Sequence, residues 1–125
     1  MTNGHGHAAT GLERLLDLDG FTAEIGDRYW VSFRARQVPP SAARPHGIQY
    51  ALTLHTPGGR RILGYDNAHR PRLGTGPKRR SATPVACDHL HRGTRIFRYE
   101  FRTPGDLPHD FWADVEAEPK KEGVR

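Results

Sequence analysis

The chain has 125 residues, of which 35% are hydrophobic and 26% charged, and 19 Lys or Arg against 14 Asp or Glu give a formal net charge of +5. That length suits one domain with one modest core, and no apolar run approaches the roughly 20 residues of a membrane-spanning helix. The opening Met1-Thr2-Asn3-Gly4-His5-Gly6-His7 lacks the apolar segment of a signal peptide, and the lone Cys87 has no internal disulfide partner, so a cytoplasmic protein is expected.

Residues 1–9 show no apolar period and are expected to be a disordered tail. Thr10-Gly11-Leu12-Glu13 has the spacing of a capping box, and Leu12, Leu15 and Leu16 then share one face of a short helix that Gly20 stops. Phe21, Ala23 and Ile25 alternate, Gly26-Asp27 turns the chain, and Tyr29, Val31, Phe33 and Ala35 alternate again against Trp30, Ser32, Arg34 and Arg36. Pro39-Pro40 through Pro45 reads as a loop, because prolines remove ladder donors.

A hairpin is predicted over residues 46–66. Ile48, Tyr50, Leu52 and Leu54 alternate along its first strand, and Pro57-Gly58-Gly59 supplies the turn. The stretch from Arg70 to Arg80 has little to bury and reads as a mobile basic loop. Residues 83–89 and 95–101 form a second antiparallel pair joined by His91-Arg92-Gly93-Thr94, with Ile96, Phe97, Tyr99 and Phe101 as its apolar side. After Thr103-Pro104-Gly105, Asp106 is placed to cap a helix that tolerates Pro108 in its first turn. Leu107, Phe111 and Val115 would lie on the sheet, leaving an acidic opposite face of Asp110, Asp114, Glu116 and Glu118. The order is helix, antiparallel strands, helix. We therefore expect a single α+β domain over residues 10–118, with a sheet of about five or six strands, two hairpins, a short N-terminal and a longer C-terminal helix, and a charged tail at 119–125.

Charge is unevenly spread along this plan. Between Arg28 and Arg102 there are 15 Lys or Arg against only Asp66, Asp88 and Glu100, a net +12; the two flanks together hold 4 basic and 11 acidic residues, a net −7. A basic body concentrates polyanions, and Arg favours planar phosphate contacts. Arg60, Arg61, Arg72, Lys78, Arg79, Arg80 and Arg92 are the candidate nucleic-acid contacts, although Arg60 and Arg61 also suit an edge strand protected against aggregation. Gly74-Thr75-Gly76 has neither the strand nor the helix of a nucleotide-binding loop.

The strand ends carry polar groups that a half-buried hairpin does not need: His46, Asp66-Asn67-Ala68-His69 and Asp88-His89-Leu90-His91. One reading is metal-free RNA cleavage. A histidine among His46, His69 and His89 would take the ribose 2′-OH proton, a second would donate to the leaving 5′-oxygen, and Asp66 and Asp88 would orient them. A rival reading gathers Asp66, His69, Asp88, His89 and His91 around a divalent metal, although neither Asp-x-x-His nor Asp-His-x-His fixes a metal by spacing alone. The structural alternative makes Asp66-Asn67 an Asx turn and Asp88 the partner of His89 or an arginine. Tyr50, Tyr65 and Tyr99 read as core or half-core aromatics rather than base-stacking platforms.

The ordered set Arg44-Pro45-His46-Gly47-Ile48, Tyr50, Leu52-Thr53-Leu54-His55, Gly64-Tyr65-Asp66-Asn67-Ala68-His69, Asp88-His89-x-His91 and Asp110-Phe111-Trp112 resembles the TumE-type toxins of bacterial type II toxin–antitoxin systems, over roughly Leu12 to Glu118. The resemblance implies a bacterial growth inhibitor neutralised by a cognate antitoxin, usually one with a helix-turn-helix DNA-binding domain. It carries no residue roles, so the site assignments rest on local chemistry. The function expected is therefore a toxin acting on RNA as a metal-independent endoribonuclease, without cofactor and without membrane contact. The alternative is a non-catalytic basic module that blocks a nucleic-acid machine.

Overall fold

The structure, a computed structural model, describes residues 11–67 and 88–118. The expected N-terminal tail, the basic loop from Arg70 to Arg80, residues 83–87 of the expected strand, Cys87, the expected charged tail at 119–125, and the candidates His69, Arg72, Lys78, Arg79 and Arg80 lie outside the described residues.

Among the described residues the elements run α1 (Leu12–Asp17), β1 (Thr22–Glu24), β2 (Trp30–Gln37), β3 (Ile48–His55), β4 (Arg61–Asp66), β5 (His89–Arg92), β6 (Arg95–Arg98) and α2 (Asp106–Ala117). The strands form one antiparallel sheet in the order β1-β2-β3-β4-β5-β6, the meander expected when each strand folds back on the last. The chain is α+β.

Period-two alternation decides what each face does. Val31, Phe33 and Ala35 of β2, Ile48, Tyr50, Leu52 and Leu54 of β3, and Leu63 and Tyr65 of β4 are buried, and Leu15 of α1 with Leu107, Phe111 and Val115 of α2 completes one core. Phe33 and Tyr65 meet Phe111 edge-on at centroid separations of 5.4 and 5.8 Å, the geometry aromatic quadrupoles favour. Both helices cover this face. The other face carries the alternate residues and receives neither helix.

Several expectations need correction. The N-cap of α1 is Gly11, and among the described residues no side chain caps it; Thr10 of the expected capping box lies outside them. Gly11 has φ +81, and a Cβ there would stand 2.6 Å from Gly105 Cα, so the two helix N-termini touch through a pair of glycines. The N-cap of α2 is Gly105, one residue before the expected Asp106, and the Thr103 hydroxyl accepts from the Asp106 amide.

The β1–β2 turn centres on Asp27 and Arg28, both at positive φ, with the Tyr29 amide bonded to the Gly26 carbonyl. Two consecutive positive φ values make this a type I′ turn. The second hairpin turns on Gly93-Thr94 alone, with Gly93 at φ +62, so His91 and Arg92 are strand residues rather than turn residues.

Of the expected apolar side of residues 95–101, Tyr99 and Phe101 pack against the core, just beyond the end of β6. Ile96 and Phe97 within β6 are 37% and 40% exposed, because neighbouring strand residues point to opposite faces and the strand lies at the sheet edge. Arg61 is not on an edge strand either, since β4 lies between β3 and β5.

Candidate functional site

The ends of β4 and β5 carry polar clusters on both faces of the sheet. On the helix-covered side, Asp88 is buried. One of its carboxylate oxygens accepts from the Tyr50 hydroxyl at 2.6 Å and from His46 Nε2 at 2.9 Å. His46 Nδ1 accepts from the Ile48 amide at 3.2 Å, so the proton sits on Nε2 and both ring nitrogens are engaged. The ring stacks on Phe101 at 3.9 Å. Burial, then the Asp88 charge, push the Tyr50 hydroxyl far above its ordinary value. Those bonds leave no ring nitrogen of His46 facing a substrate.

Asn67 is fully buried next to this cluster. Its side chain accepts from the Tyr50 amide at 2.9 Å and donates to the Ile48 carbonyl at 2.8 Å, continuing the β3 ladder where β4 ends. It therefore bonds across to β3. Arg44 Nε donates to the Asn67 carbonyl at 3.0 Å, fastening the proline loop to the same point.

On the open face the register assembles a different set. Arg34 of β2 pairs with Ala51 of β3, Ala51 with Asp66 of β4, Asp66 with His89 of β5, and His89 with Arg98 of β6. Strands lie about 4.8 Å apart, so this row places Asp66 directly beside His89 and brackets the pair with two exposed guanidinium groups. His91, two residues along β5, shares the face, and its ring meets that of His89 edge-on at 4.7 Å. One ligand atom from each of Asp66, His89 and His91 lies within 4.8 Å of the others.

Opposite His91 stands Gly64. With no side chain there, Arg61 lies across the gap, and a Cβ on Gly64 would come 3.2 Å from Arg61 Cδ. Burial, the Arg61 charge and the neighbouring His89 hold His91 below the usual imidazole value, with Asp66 pulling it partly back. His91 is thus held as neutral imidazole at neutral pH.

The candidates therefore separate by face. Asp66 and His89 come together with Arg61 nearby, and His46 meets Asp88 as the order of elements suggested, but strand alternation puts the two pairs on opposite sides of the sheet. His46 and His89 do not converge on one phosphate. Arg92 sits on the helix side, 3.2 Å from Asp114 and 4.0 Å from Glu118 of α2. Arg60 is exposed at the tip of the first hairpin.

The α2 acids also depart from a plain solvated face. The hydroxyls of Tyr65 and Tyr99 donate to Asp114 and Asp110 respectively, the latter at 2.7 Å.

The sequence profile of the toxin TumE family matches residues 15–119, most of the chain and every described strand. The chain belongs to the toxin TumE family. It is accordingly a toxin of a toxin–antitoxin system, with an antitoxin as its partner. The curated proteins and the solved structures gave no match. Among the described residues, no helix is long and apolar enough to cross a membrane.

For this TumE-family chain, sequence reasoning gave His91 no catalytic role and passed over Arg34 and Arg98. The alternation of β2 already sent Arg34 outward. Without the register, nothing in the sequence set it in line with Asp66.

Proposed function

We propose that this toxin acts on RNA through the open face of the sheet, with Asp66, His89 and His91 as its reaction centre. The observation that carries this is the cross-strand row Arg34-Ala51-Asp66-His89-Arg98 with His91 and Arg61 beside it. Cleavage of RNA by internal transfer needs a base for the 2′-OH proton, positive charge at the developing phosphorane, and a proton for the departing 5′-oxygen. A neutral His91 suits the first task, Arg61 and Arg98 the second, and His89, oriented by Asp66, the third. Arg34 and Arg36 then extend phosphate contact along β2. His46 and Asp88 serve this reading from behind the sheet, by fixing where β5 begins. The antitoxin, with the helix-turn-helix domain expected of such partners, would mask this basic face with an acidic segment.

The test is RNA cleavage by the purified, antitoxin-free chain. His91→Ala should lower cleavage by about 100-fold or more, and Arg34→Ala with Arg98→Ala should weaken RNA binding and flatten its salt dependence. Full cleavage by a folded His91→Ala protein would remove the proposed centre. RNA binding without cleavage by the wild type would favour a blocking toxin.

A further inference from the structure

We infer that Asp66, His89 and His91 form the protein's share of a mononuclear site for a divalent metal ion of the zinc class. Two imidazoles and one carboxylate are a donor set that borderline divalent ions accept. Backbone geometry brings them together: His89 and His91 are alternate residues of β5, so both point to the open face, and Asp66 stands opposite His89 in register. Their ligand atoms all lie within 4.8 Å of one another. Around a tetrahedral ion with bonds of about 2.0 to 2.1 Å, ligand atoms sit roughly 3.3 Å apart. Side-chain rotation of about 1.5 Å or less therefore closes the set without moving the strands.

The surroundings support the assignment. Asp66 and His91 are half-buried and His89 is buried, so the donors are partly withdrawn from water, while the Arg61 side chain occupies the place that a side chain at Gly64 would take. Among the described residues the set is three ligands, and three protein ligands with a fourth position open is the arrangement of reactive rather than purely structural sites. A phosphate oxygen is the ligand for that position, since Arg61 lies beside His91 and Arg98 beside His89. This last point rests on the RNA reading above; ion binding by the three residues does not. With the ion bound, His89 and His91 would serve as ligands rather than as acid and base, and a water held by the ion would supply the base.

The experiment is calorimetric titration of zinc chloride into the full chain after stripping with chelator. One ion per chain is expected, with affinity at least 100-fold weaker in His89→Ala and in His91→Ala, a smaller loss in Asp66→Asn, and none in His55→Gln. Zinc uptake that persists in the His89 and His91 variants, as tail binding by His5 and His7 would give, overturns the site. Should those variants fold poorly, imidazole resonances of the wild-type chain report instead. Zinc must then shift His89 and His91, and shifts confined to other histidines overturn the inference. RNA cleavage by a wild-type chain that binds no zinc would refute this inference alone. Zinc binding in the predicted pattern without RNA cleavage would refute only the functional reading.

Discussion

Asp88 and His89 are neighbours in the chain with different tasks, and the pleat is what divides them. Asp88 turns toward the core, where Tyr50 and His46 donate to it; His89 turns to the open face beside Asp66. A buried carboxylate with two donors is costly to break, because the donors are left without partners. Asp88→Ala should therefore lower unfolding stability by about 2–4 kcal/mol, and Asn67→Ala should cost about the same, by orphaning the Tyr50 amide and the Ile48 carbonyl. Chemical denaturation measures both. A loss below half a kcal/mol for either, roughly the level of an exposed surface change, would mean that these bonds are not structural.

Polar residues at strand ends were visible in the sequence; their sorting was not. A single-residue shift in register exchanges the two faces, and only the pairing of β4 with β5 assigns each side chain to one.

At the scale of elements, the hydrophobic period made β2, β3 and α2 readable, since each has a long alternating or i, i+4 pattern that packing rewards. The last strand is legible in part: Tyr99 and Phe101 pack on the core, while Ile96 and Phe97 stay exposed, since nothing local reports that a strand is last in its sheet. The helix N-termini were misread for a similar reason. Thr10 and Asp106 carry the capping signal in the sequence, whereas the constraint in the fold is the approach of Gly11 to Gly105.

Gly11→Ala would add the cost of a left-handed backbone and a collision with Gly105. A loss of about 2–4 kcal/mol is expected, read from thermal or denaturant unfolding. Conversely, Arg28→Gly relieves a strained position in the type I′ turn and should raise stability by about 0.5–1 kcal/mol. Gly11→Ala without effect would show that the two helix ends separate freely.

Over the whole molecule, charge and tyrosine chemistry follow the two faces. Acids of α2 meet Tyr65, Tyr99 and Arg92 along the covered side, while Arg34, Arg36, Arg61 and Arg98 are exposed. The sequence showed a basic middle and acidic flanks, and folding turns that difference along the chain into a difference between faces.

Burial comes first, and carboxylate neighbours second, in raising the hydroxyls of Tyr50, Tyr65 and Tyr99 above their ordinary value. For a group whose folded value is raised, the stabilisation is complete below the unfolded value and is lost as pH climbs toward the folded one. Stability should thus decline above about pH 10, and tyrosinate absorbance should rise together with unfolding rather than before it. Early ionisation of these three tyrosines in the folded chain would contradict their burial against carboxylates. At the acid end, burial and then the Arg61 charge lower His55, with the Gly59 carbonyl pulling the other way. A lowered group favours folding above its unfolded value, so His55 adds a decline in stability as pH falls below about 6.5.

The central claim is that toxicity resides on the open face and that the buried cluster only supports it. Growth arrest in cells decides between the faces most directly, when His91→Ala is compared with His46→Gln and antitoxin binding verifies that each variant is folded. The account predicts that His91→Ala abolishes arrest while His46→Gln still arrests growth in proportion to its folded fraction. Arrest that survives His91→Ala but is lost in a folded His46→Gln chain would contradict it.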